Sequence, residues 1–164
     1  LHVKLARLAG ARRIIVSEPS ELRRHAALVE GADIVLDPAA GDLAGQIRSA
    51  TSGQGADVAI LAVGVPALAS QAVDLVRKRG RISLFAGFSR DDTAVMDVNA
   101  IHYNELKITG SFGLTRLQFT RALALIASGR LNLGSLLTHR FGLSEIEQAL
   151  RVAEQGAAIK VAII

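Results

Sequence analysis

The sequence has no cysteine, and only 4% of its 164 residues are aromatic. Without cysteine, neither a disulfide framework nor a thiolate metal site can form within these residues. The apolar half of the sequence is instead mostly alanine, valine, isoleucine and leucine. That composition suits buried parallel strands covered by alanine-rich helices, and it favours an α/β fold over a β-sandwich.

Long apolar runs and concentrated positive charge are also missing. No run reaches the roughly 18 residues that a membrane span needs, and the first residues do not resemble a signal peptide. We therefore expect a soluble, cytoplasmic protein. The net charge is +4, but the basic residues fall at predicted helix ends or on polar faces without aromatic partners. This distribution argues against nucleic-acid binding.

Patterns that would carry catalysis are absent as well. None of the four histidines stands with another histidine or an acid at the spacing of metal ligands. No serine lies in a nucleophile-elbow context. Asp91 and Asp92 are adjacent acids in a loop, which is typical of a hydrated segment, and we assign them no role. The sequence thus predicts no metal site and no catalytic group within these residues.

A short β-branched run, a turn signal and an amphipathic helix recur along the chain without a linker. This order is typical of crossover units and predicts a doubly wound parallel sheet. The run at 58–63 is apolar throughout, which predicts a central strand covered on both faces. The predicted strands are 13–17, 34–36, 58–63, 82–85, 106–111, 137–141 and 159–164. The predicted helices lie within 1–8, 19–30, 43–50, 65–80 and 115–129, with a last one from Ser144; capping boxes are predicted at Thr115 with Gln118 and at Ser144 with Glu147.

Glu18 follows the predicted strand 13–17, at the carboxyl end where open α/β sheets bind ligands. A carboxylate there can accept both ribose hydroxyls of an adenosine and would repel a 2′-phosphate, which favours NAD over NADP. Arg23 would face the same ribose or stack on adenine. The alternatives are that Glu18 is only a charge at a helix N-terminus and that Arg23 is a solvated helix residue.

Small residues end three further strands. Glycine lets a backbone approach a flat ligand, so three such strand ends would form the floor of a crevice. Glycine after a strand is also an ordinary turn residue, and that alternative stays open for each one. The strand ends concerned are Val63, Gly64 and Val65, then Phe85, Ala86 and Gly87, and finally Ser111 and Gly113.

Five segments, taken in order along the chain, resemble the medium-chain dehydrogenase/reductase family. They are most similar to the zinc-type branch of that family, the branch of the sorbitol and threonine dehydrogenases. The resemblance covers nearly the whole chain. It implies that Glu18 is the ribose-binding acid, that Arg23 is an adenosine contact and that the small strand ends line the nicotinamide side. The segments are LARLAGARRIIVSEPSELRRHAALVEGADIVLDP, GADVAILAVG, RGRISLFAGF, IHYNELKITGSFG and LLTHRFGLSEIEQAL.

By this resemblance, residues 1–133 form an NAD(P)-binding Rossmann domain and residues 134–164 return to a catalytic domain. Leu1 falls inside the helix that follows the family's Gly-rich loop, so the first strand and that loop are expected to lie outside these residues. Backbone N–H groups at the end of the helix that follows this loop would hold the pyrophosphate. We therefore expect these residues alone to bind NAD poorly and to be inactive. Ala86 stands where glycine is common and is expected to crowd the carboxamide slightly.

The implied activity is hydride transfer between an alcohol or polyol and NAD, with a catalytic zinc held by ligands outside these residues. Strand 106–111 resembles the family's dimerisation edge, so we expect a homo-oligomer of the full-length protein. One alternative is a zinc-free quinone reductase that uses NADPH, against which Glu18 argues. Another is a nucleotide-sensing module without chemistry. Zinc ligands in the upstream sequence would support the zinc enzyme, and their absence would favour the two alternatives. In a titration with NAD and NADP, a clear preference for NADP would contradict the assignment of Glu18.

Overall fold

The computed structural model describes all residues from 1 to 164, and every strand pair in it is parallel. The helices are α1 His2–Leu8, α2 Glu21–Val29, α3 Leu43–Ala50, α4 Pro66–Leu75, α5 Val98–Tyr103, α6 Arg116–Ala127 and α7 Ile146–Glu154. The strands are β1 Ile15–Ser17, β2 Ile34–Leu36, β3 Ala56–Leu61, β4 Val76–Leu84, β5 Lys107–Gly110, β6 Leu137–Phe141 and β7 Lys160–Ile163. Short 3₁₀ helices cover Pro38–Ala40, Gly134–Leu136 and Leu143–Glu145.

The chain forms two compact units. The first, unit A, comprises Leu1–Ala39 together with Thr115–Ile164, and the second, unit B, comprises Ala40–Leu114. Unit A contains the parallel pairs β1-β2 and β6-β7, and unit B contains a sheet in the order β3-β4-β5. Each paired strand is followed by a helix before its partner, as parallel pairing requires. The α/β fold with parallel strands that the sequence predicts is confirmed. No helix is both long enough and apolar enough to cross a membrane.

The core of unit B lies between α4 and the sheet. Ala69 and Ala72 are almost completely buried on α4, and they face a cluster that includes Leu61 of β3 and Ile82 of β4. Alanine suits this position because its small side chain lets a helix lie close to a sheet. Ile82 is fully buried, which is expected for the central strand of three.

The position predicted for β3 is wrong. The apolar run 58–63 was expected at the centre of a sheet, but β3 is an edge strand and β4 is the central one. Val58 and Ile60 are 49% and 45% exposed, so one face of β3 is uncovered. An apolar run indicates which side chains can be buried, and does not by itself indicate the order of the strands.

The boundary between α4 and β4 also differs from the prediction. The helix expected to reach Gly80 ends at Leu75, and β4 begins at once with Val76. The ladder pairs Ala56 with Val76 and then Val58 with Arg81, so four residues of β4 loop out of the register. Arg79 turns this loop with a φ of 62°, in the left-handed region that few side chains adopt.

In unit A, ion pairs fix α1 against the segments that follow it. Lys4 pairs with Glu30 just after α2, and both side chains are largely buried. Arg7 donates to the Asp33 carboxylate at 2.7 Å and to the Gly31 carbonyl at 2.9 Å. Asp33 also accepts the backbone N–H of Ile14 at 2.6 Å, immediately before β1. Charged groups therefore set where α1 lies.

One of the two predicted capping boxes is confirmed. The Gln118 N–H donates to the Thr115 hydroxyl, and the Thr115 N–H donates to the side-chain oxygen of Gln118. The second prediction, Ser144 with Glu147, is wrong. Glu145 instead ends the 3₁₀ helix Leu143–Glu145 and accepts the Gly142 N–H, and α7 has no side-chain cap.

Helix α5 was not predicted. It has only six residues, and its one sequence signal is Asp97, whose carboxylate accepts the N–H groups of Asn99 and Ala100.

Candidate functional site

Glu18 is the first residue beyond β1, and its surroundings define the end of that strand. Its N–H donates to the Leu36 carbonyl at 3.1 Å, so the chain still runs beside β2 at this point. Its carboxylate oxygen Oε1 accepts the Ser20 N–H at 2.9 Å. Ser20 in turn caps α2. Glu18 is thus partly buried and held near the helix start, with one carboxylate oxygen engaged by the backbone.

Arg23 lies in the first turn of α2. Its N–H donates to the Ser20 hydroxyl at 3.4 Å. Its guanidinium reaches the turn between α7 and β7, where Nη2 lies 3.5 Å from the position that a Cβ on Gly156 would take. The residue is exposed, so the geometry leaves both predicted alternatives for Arg23 open.

Arg24 was not singled out from the sequence, yet it has more contacts at this strand end than Arg23. Its Nη1 donates to the carbonyls of Glu18 and Pro19, each at 2.7 Å. The same nitrogen lies 3.1 Å from the carboxylate of Asp37, which directly follows β2. Two adjacent arginines on a helix look alike in the sequence, and only the fold shows which of them turns back toward the strand end.

In unit B, the ends of β3 and β4 approach each other through glycine. A Cβ on Gly64 would lie 1.9 Å from the carbonyl oxygen of Gly87, so this position requires glycine. The N–H groups of Phe85 and Ala86 both donate to the Leu61 carbonyl, at 3.2 and 3.0 Å. The pairing to Leu61, the last residue of β3, thereby continues past Leu84, the last residue of β4.

The same strand ends expose apolar side chains and leave room above one glycine. Val63 and Phe85 are about half exposed, and Val65 is also exposed. A Cβ on Gly87 would meet no atom within 4 Å, although Gly64 lies against its other side. A flat ligand could therefore approach Gly87 without a steric conflict.

The end of β5 completes this edge of the sheet in unit B. The Ser111 N–H donates to the Leu84 carbonyl at 3.3 Å, which ties Ser111 to the end of β4. Gly113 has open space around its Cβ position, and Phe112 between them is fully exposed. Since parallel strands end at the same edge, the structure brings the three predicted strand ends of unit B together.

These residues provide no donor set for a metal ion. No group of three or more histidine, aspartate and glutamate side chains is arranged to hold one. A shallow, open concave surface along α6 is lined by Arg121, Ala124, Leu125, Ser128 and Arg130. None of the predicted site residues lines it.

A parallel α/β architecture with a carboxylate after one strand and glycines after others defines a class of nucleotide-binding domains. Residues 1–128 match the family described as zinc-binding dehydrogenase. The chain belongs to the zinc-binding dehydrogenase family, as the resemblance to zinc-type medium-chain dehydrogenases predicted.

Individual relatives agree with this assignment. The chain is 35% identical to the L-threonine 3-dehydrogenase of Thermococcus kodakarensis, a match that covers 98% of this chain and 46% of the relative. The alcohol dehydrogenase of Thermus sp. ATN1 superposes with a TM-score of 0.91 at 25% identity, over 99% of this chain and 46% of that one. A Sinorhizobium meliloti 1021 protein described as a zinc-binding dehydrogenase, solved with NADP, superposes at 0.84 with 29% identity, over 90% and 44%. The chain thus spans about half the length of the relatives that it matches.

Proposed function

We propose that this chain binds NAD as the cofactor-binding part of an alcohol or polyol dehydrogenase. The observation that carries the proposal is the carboxylate of Glu18, which is held at the carboxyl end of β1 by the Ser20 N–H. A carboxylate fixed at such a strand end accepts the ribose hydroxyls of an adenosine and repels a 2′-phosphate. Membership of the zinc-binding dehydrogenase family supports the reaction class.

Each unit would contribute to cofactor binding separately. In unit A, Glu18 would accept the ribose hydroxyls, and Arg23 would contact the adenosine. In unit B, backbone at the ends of β3, β4 and β5 would support the flat nicotinamide ring, and the open space at Gly87 and Gly113 favours this. The other residues proposed for this surface are Val63, Gly64, Val65, Phe85, Ala86 and Ser111. When bound, the nicotinamide ring supplies the hydride chemistry, and the protein supplies orientation.

The zinc ion implied by the family finds no ligands in this chain, so no step assigned to these residues passes through it. We propose that its ligands belong to another part of the full-length enzyme. We further propose that residues 1–133 act as the cofactor-binding domain and that residues 134–164 return to a catalytic domain. The separate β6-β7 pair, closed by α7, supports treating this last segment as its own element group. The cytoplasmic location predicted from the sequence remains part of this proposal.

Titration of the full-length protein with NAD and NADP tests the coenzyme assignment. Replacing Glu18 with glutamine removes the charge and keeps the shape, and we expect NAD to bind roughly 10-fold more weakly, the usual cost of a lost charged hydrogen bond. Glu21→Gln is the matched control, because Glu21 is an exposed acid three residues further along the chain, at the start of α2. An unchanged NAD affinity in the Glu18 variant would contradict the assignment.

A second candidate is an NADP-dependent enzyme, including the zinc-free quinone reductase type. The Sinorhizobium meliloti relative solved with NADP favours it, because that protein is similar over 90% of this chain. Arginines beside Glu18 would suit a 2′-phosphate. If the wild-type protein clearly binds NADP more tightly than NAD, the NADP-dependent enzyme is the correct candidate.

We also propose a homo-oligomer of the full-length enzyme that pairs through β5. This strand lies at one edge of the sheet in unit B, and an uncovered edge offers free backbone groups to a second copy. Light scattering on the full-length protein tests this proposed oligomer. Replacing Ile108 with proline removes a backbone N–H from β5, so the oligomer should dissociate.

A further inference from the structure

We infer that Arg24 is a positioning residue that sets the direction of the Glu18 carboxylate and so determines discrimination between NAD and NADP. The inference rests on the proposed role of Glu18. It adds a residue that the family resemblance does not assign, and it rests on contacts within unit A alone.

Arg24 holds the backbone on which the Glu18 side chain stands. The Glu18 N–H makes the last contact between β1 and β2, so the carbonyls of Glu18 and Pro19 lie beyond the ladder. Arg24 Nη1 donates to both carbonyls at 2.7 Å. Its side chain is only 19% exposed, so water competes little for these bonds. The direction of the turn at residues 18–19 thus depends on this guanidinium.

Asp37 fixes the guanidinium from the neighbouring strand. One carboxylate oxygen lies 3.1 Å from Arg24 Nη1, and the other accepts the Ala39 N–H at 2.9 Å. Asp37 is therefore itself anchored, and Arg24 joins the turn after β1 to the turn after β2. Because hydrogen bonds donated by a charged guanidinium are stronger than neutral ones, the two bonds from Arg24 to the carbonyls of Glu18 and Pro19 restrict the turn more than neutral bonds would.

The ion pair also affects the charge near Glu18. Asp37 neutralises Arg24, so the positive charge of Arg24 is less available to a 2′-phosphate. A held carboxylate accepts the ribose hydroxyls of NAD, whereas an arginine compensated by Asp37 contributes little to the binding of either coenzyme. Loss of Arg24 is therefore expected to weaken NAD binding selectively, through Glu18.

The test compares dissociation constants for NAD and NADP in the full-length protein with those of Arg24→Met. We expect NAD binding to weaken roughly 10-fold while NADP binding changes less than about 2-fold. In steady-state assays the KM for NAD should rise while kcat changes less than about 2-fold, because ground-state binding is what is lost. Arg12→Met is the matched control, since Arg12 is an exposed arginine in the same unit.

A double-mutant cycle separates positioning from general stability. In a Glu18→Gln background, Arg24→Met should change NAD affinity less than about 2-fold, because the group it positions is already gone. Equal losses for NAD and NADP, or full additivity with Glu18→Gln, would overturn the inference. If Arg24→Met does not fold, Arg24→Lys carries the test: it keeps the charge but not the planar fork, and should lie between wild type and a full loss of discrimination. An Arg24→Lys protein with wild-type discrimination would also overturn the inference.

The two proposals fail differently. If Glu18→Gln leaves NAD binding unchanged, the role of Glu18 is wrong and the inference falls with it. If Glu18→Gln weakens NAD binding but Arg24→Met does not, only the inference about Arg24 is wrong.

Discussion

The strand ends of the two units are built by different means. In unit A, side-chain charges hold the end of β1, because Arg24 joins the carbonyl of Glu18 to the carboxylate of Asp37. In unit B, the ends of β3 and β4 meet backbone to backbone at Gly64 and Gly87, with no side chain between them. The first arrangement depends on ionisation and the second on the absence of a Cβ. Each should therefore be disrupted by a different kind of change.

The largest effect is expected at the glycine contact of unit B. Gly64→Ala places a methyl group where the Gly87 carbonyl oxygen lies 1.9 Å away, so backbone must shift. We expect the free energy of unfolding to fall by about 3 kcal/mol, the upper part of the range for overpacking. Urea unfolding of the wild type and of Gly64→Ala measures this difference in free energy.

Gly87→Ala is the matched control for that substitution. A Cβ on Gly87 meets nothing within 4 Å, so the free energy of unfolding should change by no more than about 0.5 kcal/mol. Equal losses for the two alanines would show that backbone contact does not shape these strand ends.

The next effect concerns the charged contacts of unit A. Glu30 is 8% exposed and pairs with Lys4, which is 19% exposed. Glu30→Gln removes the negative partner of a largely buried cation, and we expect a loss of about 2 kcal/mol in thermal unfolding at pH 7. Glu147→Gln breaks the exposed pair with Arg151 and should cost less than about 0.5 kcal/mol. If both substitutions lowered the free energy of unfolding by similar amounts, burial would not be what makes the Lys4–Glu30 pair stronger.

The same pair predicts a pH dependence. Burial raises the pKa of Glu30, but hydrogen bonds from Lys4 and Ser135 and the charge of Lys4 outweigh it, so the pKa falls below its ordinary value of 4.5. A carboxylate with a lowered pKa stabilises the fold above its unfolded pKa, and that contribution is lost as pH falls through the folded value. The stability gap between wild type and Glu30→Gln should thus be constant above about pH 5.5 and shrink below pH 4.5. A gap that does not shrink as the pH falls below 4.5 would contradict this.

The smallest effect is expected at the capping box of α6. Thr115→Ala removes the acceptor of the Gln118 N–H and should cost about 1 kcal/mol in urea unfolding. Ser144→Ala should change the free energy of unfolding by less than about 0.5 kcal/mol, because Ser144 does not form the predicted cap. If Ser144→Ala lowered the free energy of unfolding more than Thr115→Ala, the assignment of Thr115 and not Ser144 as a capping residue would be wrong.

Short elements with clear boundaries could be predicted from the sequence. Strand β2, helix α3 and strand β6 were predicted with the bounds that the structure has. Each is a compact apolar or amphipathic run between turn residues, so local chemistry alone determines it. Helix α5 was missed because six residues give too little periodicity to detect.

Features that depend on tertiary contacts could not be predicted. The apolar residues of β3 suggested a central strand, but strand order is set by pairing between distant segments. Arg23 and Arg24 are adjacent and identical in type, and only the packing of α2 against β1 and β2 turns Arg24 toward the strand ends. The sequence could indicate Glu18 as a candidate, since it directly follows a predicted strand. It could not indicate the contacts that hold it.

The most direct measurement is a crystal structure of the full-length protein with NAD bound. The account predicts the ribose hydroxyls of the adenosine within hydrogen-bonding distance of the Glu18 carboxylate, about 2.5–2.7 Å between the oxygens for a hydroxyl that donates to a carboxylate. Arg24 should remain bonded to the carbonyls of Glu18 and Pro19. An adenosine ribose bound elsewhere, with the Glu18 carboxylate facing only solvent, would contradict the account.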